Sequence, residues 1–198
     1  AFPKLIEQWD IDRIKRDFAD AAERMKAAGV DGIDFESFGH LLSQFWSPMS
    51  NQLDSDYGGS LENRSRFLRE VIEDMRETTK GELAVTLRMS LHEAGTFGFS
   101  NAELRDFIAM HADLPDLWDL AHGTWEACSG TSRFTPEAAQ EDLIRGIKQL
   151  TSKPVVGVGR FTSPDLMVRQ IKQGILDFIG AARPSIADPF LPNKIDEG

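Results

Sequence analysis

Two short runs near the C-terminal end carry residue types that suit an anion. Gly159-Arg160 follows the apolar β-branched run 155–158, and Gly180-Ala181-Ala182-Arg183 closes a second apolar run over 175–181. Backbone N–H groups left open after such strands, with a guanidinium beside them, suit a phosphate. The guanidinium fork matches phosphate oxygens better than an ammonium does. Packing is the competing reading: Gly157 and Gly159 would let a helix approach a strand, and Arg183 would merely cap a strand end. Other candidates lie earlier. Arg88 sits near the end of an apolar run, where a cation either stabilises negative charge or pairs with an acidic neighbour. Glu36 ends the first apolar–polar alternation, and His40 follows in an apolar stretch. A carboxylate at a binding face suits a cationic amine, and it donates a proton only if burial raises its pKa. Trp118-Asp119 lies in another apolar run, with His122 at its end and Trp125 beyond. Asp119 could balance a cation, and the indole faces could meet an alkylammonium group, or the tryptophans could simply pack the core.

The elements that must position these residues follow from periodicity and caps. A helix is expected from a cap at Asp10 to residue 28, with Ile11, Ile14, Phe18, Ala22 and Met25 on one stripe and Gly29 as the stop. A strand over 32–37 leads into a long loop, 38–59, that holds an apolar helical stretch at 41–46. Ser60 caps the next helix, with Leu61, Leu68, Ile72 and Met75 as its buried stripe. A strand over 83–89 follows. Ser100 and Glu103 have capping-box spacing and open a helix to about His111. A strand over 117–121 is followed by a helix opening at Thr135-Pro136, with Leu143, Ile144, Ile147 and Leu150 packed inward. The strand at 155–158 then leads to a helix that starts at Ser163-Pro164 and stops at Gly174. The strand over 175–181 comes last. Strands alternating with helices predict an α/β fold with about five parallel strands and right-handed crossovers. In barrels built this way, chemistry sits on the loops after the strands.

Composition narrows the partners. The 198 residues, 41% hydrophobic, can bury one sizeable core as a single domain, 1–198. A net charge of −10 argues against nucleic acid and against an anionic membrane. No apolar run reaches transmembrane length, and the first residues do not read as a signal peptide. The one cysteine, Cys128, excludes a disulfide framework within the chain, and a reducing cytoplasm is the natural compartment. The acidic loop at 51–56 has no calcium-loop spacing, so no metal is expected.

The runs VGVGRFTSPD and DFIGAARPSIADPFLPNKIDEG resemble the last two strand–loop units of the old yellow enzyme family of FMN-dependent oxidoreductases, nearest its trimethylamine dehydrogenase-like subgroup. Residues 31–67 resemble that family's fourth strand and long loop, with YGGSLENR as the most specific piece. The resemblance implies a partial TIM (β/α)8 barrel, strands four to eight, with the first three strand–helix units absent. It implies FMN held by Gly157, Gly159, Arg160, Ala182 and Arg183, with Arg88 near the flavin's pyrimidine edge. An iron–sulfur cluster would belong to a parent protein, since its ligands are not in this chain. Catalytic roles would fall to Glu36, His40 and Asp119, and substrate contacts to Trp118 and His122. The sequence departs from the family here: Phe38 and Glu36 stand where histidine or another proton donor is usual. It also departs at Leu53 and Ser55, where an arginine and an acid are usual. The implied activity is flavin-mediated hydride transfer from an amine, with NAD(P)H-dependent alkene or enone reduction as the alternative. A non-catalytic fragment, inactive without its N-terminal half, is the third reading. The implied partners are a small-molecule substrate, NAD(P)H or an electron-transfer protein, and either a second copy or the missing barrel half.

Overall fold

The computed structural model describes residues 4–37, 39–93, 98–121 and 134–198. In chain order the elements are α1 (Gln8–Ala27), β1 (Gly32–Glu36), α2 (Leu41–Trp46), α3 (Leu61–Thr79), β2 (Ala84–Ser90) and α4 (Asn101–Met110). After β3 (Leu117–Ala121) come α5 (Glu141–Ile144), a 3-10 turn at Ile147–Gln149, β4 (Val155–Gly157), α6 (Pro164–Lys172), β5 (Phe178–Ile179), α7 (Ala182–Ala187) and α8 (Leu191–Glu197). The strands form one open sheet in the order β1-β2-β3-β4-β5, each parallel to its neighbour. This is the expected partial barrel.

The sheet has two unlike faces, because successive side chains point to opposite sides. Phe35, Val85, Leu87, Met89, Trp118, Leu120 and Val155 are buried together with residues of the helices. Phe18 of α1 meets Phe35 edge-on at 5.1 Å, and Phe107 of α4 meets Trp118 edge-on at 6.2 Å. The register places Glu36, Arg88, Asp119, Val156 and Phe178 in one row on the other face. That face stays open: Phe178 is 53% exposed.

Several boundaries differ from expectation, each for a local reason. Asp10 does not cap α1. It is the third helical residue, and its carboxylate accepts from the Glu7 backbone N–H at 3.1 Å, so Glu7 is the cap. The helix expected to open at Thr135-Pro136 is reduced to α5 and the 3-10 turn. Ala138 (φ +54°) and Gly146 (φ +87°) adopt left-handed backbone that a continuous helix cannot contain. The final strand is two residues long, although the Gly180 N–H still donates to the Gly157 carbonyl at 2.9 Å. Met25, expected on the buried stripe of α1, is 44% exposed. No helix among the described residues is long and apolar enough to cross a membrane.

The YGGSLENR run shows why a specific motif can be architectural. Ser60 caps α3 by accepting from the Asn63 N–H at 3.2 Å. Arg64, 7% exposed, donates Nε to the Gly59 carbonyl at 3.1 Å and Nη2 to Glu103 at 3.1 Å, and Nη1 bonds the Trp46 carbonyl. Glu103 also closes the capping box of α4 with Ser100. Arg64 therefore fastens the end of α2 to the start of α4. Ser60→Ala should lower stability by about 1 kcal/mol, seen as a lower urea midpoint at unchanged slope. An unmoved midpoint would mean that the cap contributes nothing.

Candidate functional site

A cavity of about 410 Å3 opens at the C-terminal ends of the strands. It lies within the 300–1,000 Å3 range of small-molecule sites. All five strands supply its lining, directly or through the segments that follow them. Glu36 comes from the end of β1, Arg88 from β2, Asp119 from β3, Gly159 and Arg160 from the loop after β4, and Ala182 and Arg183 from the segment after β5. The expected anion-binding pair is therefore brought together: Arg160 and Arg183 face one cavity from adjacent parallel strands.

Arg160 holds left-handed backbone, φ +60°, which costs a non-glycine residue about 1–2 kcal/mol. Its Nη1 donates to the Thr135 carbonyl at 2.8 Å. Gly180 lies against its neighbour strand: a Cβ there would stand 2.6 Å from Val158 Cγ1 and 3.2 Å from the Gly157 carbonyl oxygen. No larger residue fits there without moving the cavity wall.

Arg88 is held between two carboxylates. Its Nε donates to Asp119 at 2.5 Å, and its Nη2 meets Asp34 at 2.7 Å. Burial opposes the Arg88 charge, and Asp119, Asp34 and Glu36 more than offset it, so the Arg88 pKa is raised. Burial raises the Asp119 pKa, and Arg88 pulls it the other way. The carboxylates thus hold the Arg88 guanidinium in its charged form more firmly than in water. Arg88 thus lines the cavity and is at the same time ion-paired to its acidic neighbours.

Other expected site residues lie elsewhere. Trp118 is fully buried, because it neighbours Asp119 in the strand and so faces the helices; it can offer no face to a ligand in this cavity. Gly157 also faces the helix layer. A Cβ there would come within 2.8 Å of Leu176 and 2.9 Å of Ile144, so its smallness serves packing. His40 is exposed at the start of α2, where its carbonyl accepts from the Ser43 hydroxyl at 2.8 Å, and it does not line the cavity. His122, Trp125 and Phe38 lie outside the described residues.

Sequence reasoning missed Ala121, Val158, Phe161 and Pro184 in the cavity wall. It also missed Glu93 in the loop after β2. Glu93 is 3% exposed, and burial raises its pKa against a smaller opposing pull from Ser90. A second cavity, about 320 Å3, lies among α1, α2 and the loop after it. Its charged residues, Lys4 and Asp10, pair with each other at 2.8 Å, so no set of charges converges on that space.

Comparison with known proteins agrees with this geometry. The model of the NADH:flavin oxidoreductase / NADH oxidase family matches residues 1–198. The chain is 41% identical over 197 residues to dimethylamine dehydrogenase of Hyphomicrobium sp. (strain x), covering 96% of this chain and 26% of that protein. It is 32% identical to an NADPH dehydrogenase of Clostridium acetobutylicum, covering 95% of this chain and 55% of that protein. The solved structure of histamine dehydrogenase from Rhizobium sp. 4-9 superposes with a TM-score of 0.94 at 58% identity, over 98% of this chain and 29% of that one. The chain thus spans under a third of the two amine dehydrogenases it matches.

Proposed function

The chain belongs to the NADH:flavin oxidoreductase / NADH oxidase family, and on that premise we propose that its cavity holds FMN and that the protein carrying it oxidises a small amine. One observation carries this reading: three guanidiniums, Arg88, Arg160 and Arg183, line a single cavity at the tips of parallel strands. That donor set fits a cofactor with an anionic phosphate at one end and an electron-rich ring at the other. Arg160 and Arg183, with the backbone of Gly159 and Ala182, would hold the phosphate. Arg88 would face the ring, where a cation stabilises negative charge gained on reduction. FMN bound there would supply the hydride acceptor.

The chain's own residues then set substrate preference. Glu36 and Asp119 bring two carboxylates to the cavity, and only one of them hydrogen-bonds Arg88 among the described residues. Glu36 is left to face a cationic nitrogen. A carboxylate, rather than an imidazole, at this position favours an amine over an enone, which needs a proton donor. Dimethylamine dehydrogenase and histamine dehydrogenase are themselves named for amines. We read residues 1–198 as one domain, the C-terminal portion of a barrel whose remaining strand–helix units would pair with the open edges of β1 and β5. NAD(P)H or an electron-transfer protein would be the redox partner.

Glu36→Gln should weaken binding of a cationic amine about fivefold while leaving FMN content unchanged, since a partly exposed charge pair is worth about 1 kcal/mol. Equal affinities in the two proteins would remove Glu36 from the substrate site. The broader test is the complete protein's visible spectrum. A yellow protein bleached anaerobically by secondary or tertiary amines is expected. A colourless protein would overturn the FMN reading. Bleaching by NAD(P)H followed by enone turnover, with no response to amines, would overturn the amine reading.

A further inference from the structure

We infer that Asp34 is a positioning residue that fixes the guanidinium of Arg88 for the bound group; this rests on reading the cavity as the flavin site. Arginine has a long, many-jointed side chain, and ordering it requires contacts that define both position and plane. Arg88 has them from the strands on either side. Asp119 of β3 takes Nε at 2.5 Å, and Asp34 of β1 takes Nη2 at 2.7 Å. Asp34 is itself fixed, since its other oxygen accepts from the Thr86 hydroxyl at 2.6 Å. Thr86 stands two residues before Arg88 on the same face of β2, so β2 braces the carboxylate that braces its own arginine.

Two carboxylates on different edges of a planar group leave it one orientation. Among the described residues, Nη1 makes no hydrogen bond, and Arg88 lines the cavity. The unused donors are thus those a ligand could meet. Asp119 also lines the cavity and can contact a ligand directly, whereas Asp34 does not line it. Beyond its charge acting at a distance, Asp34 therefore affects the bound group through Arg88. Charge points the same way: with Asp119 alone the guanidinium would be neutralised, so a second carboxylate is not needed for charge balance, only for orientation.

The test compares Asp34→Ala, which removes the tether, with Asp34→Asn, which keeps an acceptor oxygen, in the complete protein. The first readout needs no cofactor. Phenylglyoxal condenses with both terminal nitrogens of a guanidinium, so with flavin removed its rate at Arg88, followed by peptide mass mapping, reports whether Nη2 is held. Asp34→Ala should label Arg88 roughly fivefold faster than the parent, at the upper end for a half-exposed ion pair, and Asp34→Asn should stay near the parent rate. The second readout is the flavin midpoint potential, which should fall in Asp34→Ala, as the cation leaves the ring, and not fall in Asp34→Asn. Equal labelling in all three proteins would overturn the inference. So would a raised potential in Asp34→Ala, which would make Asp34 only a source of negative charge. Absence of flavin from the parent protein would instead sink the cofactor reading, and the labelling series would still report on the tether.

Discussion

Replacing Arg160 with glycine is expected to weaken FMN binding to the complete protein by roughly tenfold to a hundredfold and to leave thermal stability nearly unchanged. The affinity loss is that of one charge-assisted hydrogen bond, about 1.5–3 kcal/mol. The stability result is a cancellation. Arg160 occupies left-handed backbone at φ +60°, where glycine is at home, so the substitution relieves about 1–2 kcal/mol of strain. It also removes the bond from Nη1 to the Thr135 carbonyl, worth about 1 kcal/mol. Quenching of FMN fluorescence gives the affinity, and a melting curve gives the stability. Arg183→Ala should lose affinity by a similar factor, because both guanidiniums line the same cavity. Unchanged FMN affinity in both variants would show that the cavity does not grip a phosphate.

Arg64→Met should destabilise the fold by about 2–4 kcal/mol, since it leaves buried acceptors without donors, while Glu103, at 28% side-chain exposure, is partly open to water. The residue is 7% exposed, and each of its three side-chain nitrogens has a described acceptor: the carbonyls of Gly59 and Trp46, and Glu103. Methionine fills much of the volume but leaves those acceptors without donors. Urea unfolding of the complete protein measures the effect. A loss under about 1 kcal/mol would mean that water takes over those bonds and that Arg64 is not a fastener. The prediction separates the most family-specific run of the sequence from the cavity, since Arg64 does not line it. Loss of stability with normal FMN affinity in the folded fraction is the expected pattern.

The strand–helix alternation was legible because it rests on short-range signals. The bounds of α2 and β3 agree with apolar spacing alone, and the cap at Ser60 and capping box at Ser100 form as their sequences predict. That Arg160 and Arg183 share one cavity was legible because each follows a glycine-marked strand end, and parallel neighbours bring such ends together. The interrupted helix around α5 was not, because periodicity carries no record of Ala138 entering left-handed backbone. Trp118 is the instructive error. Strand period places neighbours on opposite faces, so once Asp119 was placed at the site, Trp118 belonged to the core; a family pair was read as a unit where geometry divides it. His40 failed differently: it follows the strand by only a few residues, but the chain has already turned into α2. Asp34 went unnoticed because its role depends on a cross-strand neighbour, which spacing within one strand cannot reveal.

The fastening of the loop after β1 bears on how that loop can move. Trp46 ties its indole N–H to the Ser37 carbonyl at 3.0 Å, Asn51 bonds the carbonyls of Phe45 and Tyr57, and Arg64 links the end of α2 to α4. Among its described residues, this loop is pinned at both ends and in its middle. Any excursion must either sever several of these bonds together or carry the start of α4 with it. Motion of this loop would then be a rare, concerted displacement rather than the rapid flicker of a free flap.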